Sequence, residues 1–95
     1  MERRVVITGL GAVTPVGLTA PESWAALKAG TCGINTITRF DTEGYKVTVA
    51  VEVKGFDPVA SGLTKQEVKR NDPATQYALV ASDEALADAG LVIEG

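Results

Sequence analysis

The chain has 95 residues, a net charge of −3, and a composition that is 45% hydrophobic but only 5% aromatic. A chain of this length forms at most one small domain and buries only about 60–65% of the surface that it exposes when unfolded. The hydrophobic content excludes a disordered chain, and no apolar run approaches the ~20 residues of a membrane span. The acidic balance gives no indication of nucleic-acid binding. The first apolar run is brief and broken by glycines, unlike a secretory signal, so we expect a cytoplasmic protein.

Cysteine and histidine content limits the chemistry that the chain can perform. Cys32 is the only cysteine, so neither an intramolecular disulfide nor a four-cysteine metal site can form. A nucleophilic cysteine needs a base or another group that lowers its pKa, and the chain contains no histidine. Thr31 and Gly33 flank Cys32 in a turn-like stretch. We therefore predict a small filler residue there rather than a nucleophile.

The first predicted element is a strand over residues 3–9, where a β-branched run ends at Gly9 and Gly11. Such a run is typical of a buried strand that feeds a tight turn at the start of a layered α/β fold. The glycines also invite comparison with phosphate-binding loops. A dinucleotide fingerprint, however, has a third glycine where Thr14 stands, and the Gly-Lys-Ser/Thr of a Walker loop is missing. We therefore predict that these glycines supply turn angles that residues with a Cβ avoid.

A helix is predicted from position 21 to about position 29. Thr19 and Glu22 have the spacing of a capping box, and the glycine that follows the helix supplies a C-terminal stop. Trp24 and Leu27 fall on one face of this helix, and we expect that face to dock on the sheet.

Residues 46–54 alternate strictly, with valines at positions 47, 49, 51 and 53 and mainly polar residues between them. A period of two over this length predicts a strand with one buried face and one wetter face. An isolated edge with a valine face would be prone to aggregation, so the strand must have a partner. We expect the rest of the sheet to lie outside these residues or in another chain.

A short helix is predicted over Lys65–Arg70, opened by a Thr-x-x-Glu capping box at positions 64–67. Lys65, Lys69 and Arg70 give this helix a basic surface, and the two lysines are neighbours on one face because they are four residues apart. Taken alone, the cluster favours a solvated charged face. The alternative is a docking patch for an acidic partner, where complementary charge raises the association rate and sets the orientation.

The last helix is predicted from Pro73 to about Ala89, with Asp72 as its N-cap and a Schellman ending at Gly90. Mostly small side chains share one stripe of this helix: Ala74, Tyr77, Ala78, Ala81 and Ala85. Such a stripe permits another helix or the sheet to approach closely, and we favour that interpretation over a binding role.

Three segments together carry a resemblance to a known family: the opening Arg3–Gly11, the stretch Ile37–Asp41, and Ala87–Leu91. In them the chain resembles the N-terminal portion of the β-ketoacyl-[acyl-carrier-protein] synthases, the condensing enzymes of fatty-acid synthesis. The resemblance implies an α/β, thiolase-like fold with αβαβα layers that is usually dimeric. Residues 1–95 would be an incomplete N-terminal segment of that domain, with the remainder of the ketosynthase domain as its partner.

The resemblance also implies a reaction. An acyl group passes to a cysteine thiolate and is then condensed with malonyl-acyl carrier protein after decarboxylation, while two histidines stabilise the developing oxyanions. None of those catalytic residues lies within this chain, so the chain alone is predicted to be inactive. No metal and no bound cofactor are expected, because the substrates arrive on the phosphopantetheine arm of acyl carrier protein.

The basic helix gains a role from the same resemblance. In these enzymes a basic helix before an Asp-x-x-x-Gln-Tyr-Ala stretch helps to receive acyl carrier protein, and positions 65–78 resemble that arrangement. Lys65, Lys69 and Arg70 thereby become the candidate docking residues. Two alternatives stay open. One is a stand-alone module that binds the carrier, and the other is a non-catalytic ketosynthase-like subunit of a polyketide system, where the Ala-Thr-Gln of residues 74–76 also occurs.

Overall fold

The structure is a computed structural model that describes residues 2–92 of the chain. Five elements follow one another: α1 (Ala20–Lys28), β1 (Ile34–Thr36), β2 (Val49–Val51), α2 (Lys65–Arg70) and α3 (Pro73–Asp88). The predicted mixture of helices and strands is confirmed, although the strands are shorter than expected. Among the described residues, no helix has both the length and the apolar character required to cross a membrane.

Local capping decides where the helices begin and end. α1 follows Thr19, whose hydroxyl oxygen accepts the Glu22 amide at 3.3 Å, so it begins one residue earlier than predicted. Gly30 ends it with a φ of 76°, and Gly90 ends α3 with a φ of 73°. The Leu91 amide then donates to the Leu86 carbonyl at 3.0 Å, which completes a Schellman ending. The predicted helix termini are therefore confirmed, because hydrogen bonds within a few residues determine them.

The strand predicted over residues 46–54 is shorter in the structure, and its partner lies within the chain. β2 pairs with β1 in antiparallel orientation, with Asn35 opposite Ala50 at the centre of the ladder. The expectation that the partner lies elsewhere is wrong for this pairing. Val47 and Val51 are 68% and 60% exposed, whereas Ala50 on the opposite face is half-buried. Alternation identifies two faces of a strand, but tertiary packing decides which of them is covered.

Residues 3–9, predicted to be a buried strand, form no strand in the structure. Val5 is 97% exposed and Ile7 is 81% exposed. A β-branched run is compatible with a strand, but a strand also needs a hydrogen-bonded neighbour. No such neighbour for this run is found within residues 2–92.

The glycines that follow this run serve close packing, which corrects the prediction that they supply turn angles. Gly9, Gly11 and Gly17 all lack a positive φ. A Cβ on Gly11 would lie 1.8 Å from the Ala81 carbonyl oxygen, and one on Gly9 would lie 2.2 Å from that of Ala85. The backbone therefore passes directly over α3, and the predicted stripe of small residues is the surface that permits this approach.

The described residues enclose little core. Within residues 2–92, Leu63 is the one apolar side chain that is buried. Trp24 and Leu27, expected to dock on the sheet, are each 61% exposed, because no sheet of the described residues lies beneath α1. The radius of gyration is 16.6 Å, against about 12 Å for a compact domain of this length. The accessible surface is 7538 Å², against about 5,200 Å² for a folded monomer of this mass. Most apolar faces are therefore uncovered.

Candidate functional site

The candidate site is the basic surface of α2. Reciprocal hydrogen bonds open this helix, because the Thr64 hydroxyl accepts the Glu67 amide at 3.1 Å and the Glu67 carboxylate accepts the Thr64 amide at 3.0 Å. This capping box confirms the prediction. Leu63, only 4% exposed, and the half-buried Val68 occupy the two positions of a hydrophobic staple. The first turn thus holds in place a helix too short to be stable by itself.

Lys65, Lys69 and Arg70 are all exposed on this helix. The two lysines lie on one face, and Arg70 is turned by about 100° from Lys69. Within the described part of the chain, none of the three forms an ion pair. Glu67, the one acid of α2, is used in the capping box, so its charge lies toward the opposite end from Lys69 and Arg70. The three cations therefore lack a counter-ion among the residues that the structure describes.

Side-chain amides hold the C-terminal end of α2 against the beginning of α3. Gln76, 8% exposed, donates from Nε2 to the carbonyl oxygens of Val68 at 3.2 Å and Asn71 at 2.9 Å. The Asn71 Nδ2 group donates to the Glu67 carbonyl at 2.8 Å. The last carbonyls of a helix lack partners inside the helix, and buried polar groups require them. These amides satisfy both needs and form a corner between the two helices.

Asp72 lies between α2 and α3 and is the N-cap of α3. Its carboxylate accepts the Thr75 amide at 2.9 Å, and Pro73 occupies the first helical position. The hydrogen bonds from the backbone and then the side chain of Thr75 lower the pKa of the Asp72 carboxyl below its ordinary value. The predicted N-cap is therefore confirmed.

Tyr77 joins α3 to the segments around the sheet. Its hydroxyl accepts a hydrogen bond from the Arg39 guanidinium, and its ring packs edge-to-face on Phe56 with centroids 4.9 Å apart. The Arg39 Nε lies 3.9 Å from the Glu52 carboxylate, which also accepts the amide and hydroxyl of Thr38 at 3.1 and 3.0 Å. Partial burial favours the protonated form of Glu52 and so raises its pKa. The hydrogen bonds from Thr38 and Arg39 lower the pKa by more, and the pKa of Glu52 therefore lies below its ordinary value.

Glu84 is a second junction on α3. Its carboxylate accepts the amide of Ala20, the first residue of α1, at 2.9 Å and the amide of Ala12 at 2.9 Å. One turn later, Asp88 accepts the Leu10 amide at 3.0 Å. The unpaired amides and the positive end of a helix dipole make the start of α1 a favourable place for a carboxylate. α3 is thus the element to which the N-terminal segment, α1 and α2 all attach.

The structure shows Cys32 in the exposed loop between α1 and β1. The prediction of a filler residue is therefore wrong for the described chain, because a filler side chain packs against neighbours and this one faces solvent. Within residues 2–92, no group of three His, Cys, Asp or Glu side chains is arranged to hold a metal ion.

The structure places the three predicted basic residues on one exposed helix, but two further residues were not singled out from the sequence. Gln76 lies three and four positions before the half-buried Leu79 and Val80, so it shares their face of α3. The sequence signal for its role was therefore a single polar residue on the same helix face as these two apolar residues. Glu84 gave no local signal, because the amides that it accepts lie 64 and 72 residues away.

Two known proteins are similar to this chain in sequence. It is 46% identical over 91 residues to 3-oxoacyl-[acyl-carrier-protein] synthase 2 of Staphylococcus aureus (strain COL), covering 96% of this chain and 22% of that protein. It is 52% identical over 87 residues to the ketoacyl synthase beta subunit of the tetracenomycin polyketide synthase of Streptomyces glaucescens, covering 92% of this chain and 21% of that protein. The chain thus spans only a small part of the length of these curated relatives.

A solved structure and a family profile agree with these relatives. The ishigamide ketosynthase/chain length factor matches with a TM-score of 0.86 at 40% identity, over 97% of this chain and 23% of that one. The thiolase-like fold class predicted from the sequence is thereby confirmed. Residues 2–94 match the profile of the family described as "Beta-ketoacyl synthase, N-terminal domain". The chain therefore belongs to the β-ketoacyl synthase family and carries residues of its N-terminal domain.

Proposed function

We propose that the chain is the N-terminal part of a 3-oxoacyl-[acyl-carrier-protein] synthase that elongates acyl chains in fatty-acid biosynthesis. The observation that carries this proposal is the family match over residues 2–94. The uncovered apolar faces support it, because a domain with so little buried apolar surface gains stability when further protein covers it. The remainder of the ketosynthase domain would supply that cover, in a cytoplasmic homodimer.

The proposed reaction is a decarboxylative Claisen condensation. An acyl group is transferred from its carrier to a cysteine thiolate, and malonyl-acyl carrier protein loses CO₂ to leave an enolate. The enolate carbon attacks the acyl thioester, a carbon–carbon bond forms, and the cysteine departs as a thiolate. Two histidines would stabilise the oxygens that gain negative charge. All three residues would come from the remainder of the domain, because this chain contains no histidine, either to stabilise the oxyanions or to activate its one cysteine.

The contribution of this chain to the reaction would be reception of the carrier protein at α2. Lys65, Lys69 and Arg70 would contact acidic side chains of the carrier, and complementary charge raises the rate of encounter and sets the orientation. An exposed ion pair contributes at most about 1 kcal/mol. Reversing three such charges should therefore weaken binding roughly tenfold to a hundredfold.

Charge reversal tests this docking surface. In the α2 triple variant all three basic residues become glutamate, and in the control variant the exposed Lys28, Lys46 and Lys54 become glutamate. Each reversal lowers the net charge by two, so both variants move from −3 to −9. Binding of labelled acyl carrier protein is measured at low and high salt, with the 95-residue chain and with the S. aureus relative carrying residues 2–92 in place of its matching segment.

The two variants should differ clearly. We expect the α2 triple variant to bind roughly tenfold or more weakly and to lose its salt dependence, while the control variant keeps most of its affinity. Unchanged binding in the α2 triple variant, or equal weakening in both, would refute docking at α2.

Alone, the 95-residue chain is proposed to catalyse neither half of the reaction. The purified chain is incubated with malonyl-acyl carrier protein and an acyl-carrier donor, and release of labelled CO₂ and of 3-oxoacyl product is followed. We expect neither above background, because the nucleophile and both histidines are lacking. Measurable turnover would overturn the assignment of catalysis to residues outside this chain.

A second candidate is a non-catalytic ketosynthase-like subunit of a polyketide system. The similarity to the tetracenomycin beta subunit and to the ishigamide ketosynthase/chain length factor favours it. A third candidate is a module that binds carrier protein and does nothing else, which the exposed basic helix favours.

Sequencing the gene downstream of the segment that encodes this chain would distinguish the three candidates. A downstream nucleophilic cysteine followed by two histidines supports the condensing enzyme. A substituted nucleophile position within an otherwise similar downstream segment supports the polyketide subunit. The absence of any downstream ketosynthase segment, with carrier binding retained by the chain, supports the binding module.

A further inference from the structure

We infer that Gln76 is a positioning residue for the carrier-protein docking surface, because its buried amide sets the angle between α2 and α3 and so aims the basic side chains of α2. The inference rests on the proposed function, since it deepens the role of the same surface. It concerns a residue that does not itself contact the partner.

The first step in the argument is the match between Gln76 and its two acceptors. The Nε2 group carries two protons, and it lies 3.2 Å from the Val68 carbonyl oxygen and 2.9 Å from that of Asn71. Asn71 has extended backbone angles, with φ −122° and ψ 143°, so it ends α2. One side chain from α3 therefore joins two carbonyl groups at the end of the preceding helix, and both of its donors are used.

The second step is that little else determines the orientation of α2. None of its own six residues is buried, so the helix is not oriented by packing of its side chains into a core. Its N-terminal end is held by the capping box at Thr64 and by the buried Leu63. Its C-terminal end is held to α3 by Gln76, since the Asn71 side chain donates back to the Glu67 carbonyl of α2 itself. Removing Gln76 should therefore release one end of α2 and leave the other end in place.

The third step links that end to the charges. Lys69 and Arg70 lie in the last turn of α2, beside the carbonyl groups that Gln76 holds, whereas Lys65 lies beside the capping box. Loss of Gln76 should consequently disturb the positions of Lys69 and Arg70 more than that of Lys65. A residue that merely supported the fold would affect all three alike.

The experiment compares Gln76→Leu with the matched control Gln66→Leu, since Gln66 is exposed on α2 and carries the same substitution. Both are made in the 95-residue chain and in the S. aureus relative that carries residues 2–92. We expect Gln76→Leu to bind acyl carrier protein roughly threefold to tenfold more weakly and to raise KM for malonyl-acyl carrier protein with kcat unchanged. Gln66→Leu should change neither value.

Two further measurements separate positioning from general support of the fold. Double-mutant cycles should show stronger coupling of Gln76→Leu to Lys69→Ala than to Lys65→Ala. Gln76→Glu keeps the size of the side chain, but an ionised carboxylate donates no hydrogen bond, whereas a protonated one donates a single bond. Carrier binding by this variant should therefore improve as the pH is lowered from 8 toward 5.5, relative to the unmodified chain. This variant also tests the inference if Gln76→Leu does not fold.

The outcomes distinguish failure of this inference from failure of the proposed function. If the α2 triple variant keeps its binding, docking at α2 is wrong and Gln76 has nothing to position. If that variant loses binding while Gln76→Leu behaves like Gln66→Leu, docking stands and the role of Gln76 is wrong. Equal coupling to Lys65 and Lys69, together with a loss of kcat, would assign Gln76 to the fold as a whole and would also overturn the inference.

Discussion

Replacing Gly11 by alanine should detach the N-terminal segment from α3. The added Cβ would lie 1.8 Å from the Ala81 carbonyl oxygen and 2.8 Å from the Ala85 amide nitrogen. Both obstacles are backbone atoms of a helix, so no side-chain rotation can relieve the overlap. Ordinary van der Waals contact begins near 3.4 Å, and the segment must therefore withdraw by about 1.6 Å.

This withdrawal would break the hydrogen bonds on either side of Gly11. The Leu10 amide donates to Asp88 at 3.0 Å, and the Ala12 amide donates to Glu84 at 2.9 Å. A hydrogen bond to a charged group contributes about 1.5–3 kcal/mol, and the lower end of that range applies here because the Leu10 bond is exposed and the Ala12 bond is only partly buried. We therefore expect Gly11→Ala to lower the free energy of unfolding by about 2–4 kcal/mol.

Hydrogen exchange at the Leu10 and Ala12 amides, together with urea denaturation, measures this effect. The control is Gly44→Ala, because Gly44 has a φ of 86° and no atom within 4 Å of a built Cβ. That change introduces backbone strain of about 1–2 kcal/mol but leaves the contact with α3 intact. Protection of both amides in Gly11→Ala, with an unfolding free energy within about 0.5 kcal/mol of the unmodified chain, would refute the close-packing explanation.

Three further predictions follow from the hydrogen bonds of the helices. Thr64→Ala should destabilise α2 by about 1 kcal/mol and speed exchange of the Glu67 amide, whereas Thr64→Ser should not; equal exchange in the two variants would contradict the capping role. The folded pKa of Asp72 is lowered, so its carboxylate stabilises the fold above its ordinary pKa of 3.8 and loses that effect as the pH falls through the folded value. Denaturation of Asp72→Asn should therefore vary less with pH below about 4 than that of the unmodified chain, and an unaltered pH profile would contradict this. Glu84→Gln should lower the Tm by weakening the bonds to the two amides that it accepts, and an unchanged Tm would show that its charge is not needed.

Short-range hydrogen bonds explain why the helices could be predicted. The caps at Thr19, Thr64 and Asp72 each accept an amide only three residues away. Gly30 and Gly90 end their helices through bonds that also close within a few residues. Such signals lie within a short stretch of sequence, and the boundaries of all three helices therefore fall within a residue of the predictions.

The candidate site was predictable only in part. The basic character of Lys65, Lys69 and Arg70, their spacing and the capping box that presents them are all local properties. The role of Gln76 was not evident, because its acceptors depend on how the chain turns between α2 and α3. The sequence shows that a glutamine side chain can donate two hydrogen bonds, but only the structure of the corner between α2 and α3 shows which atoms accept them.

The amino-acid sequence alone determined the family and the helices, because those follow from residue identity and from contacts a few positions apart. The tertiary structure alone decided that Ile34–Thr36 pairs with Val49–Val51 and that Gly9 and Gly11 lie against α3. It also decided that Val47, Val49 and Val51 are exposed. These features join residues far apart in the chain, and pairing and burial depend on which surfaces meet rather than on the pattern within either one.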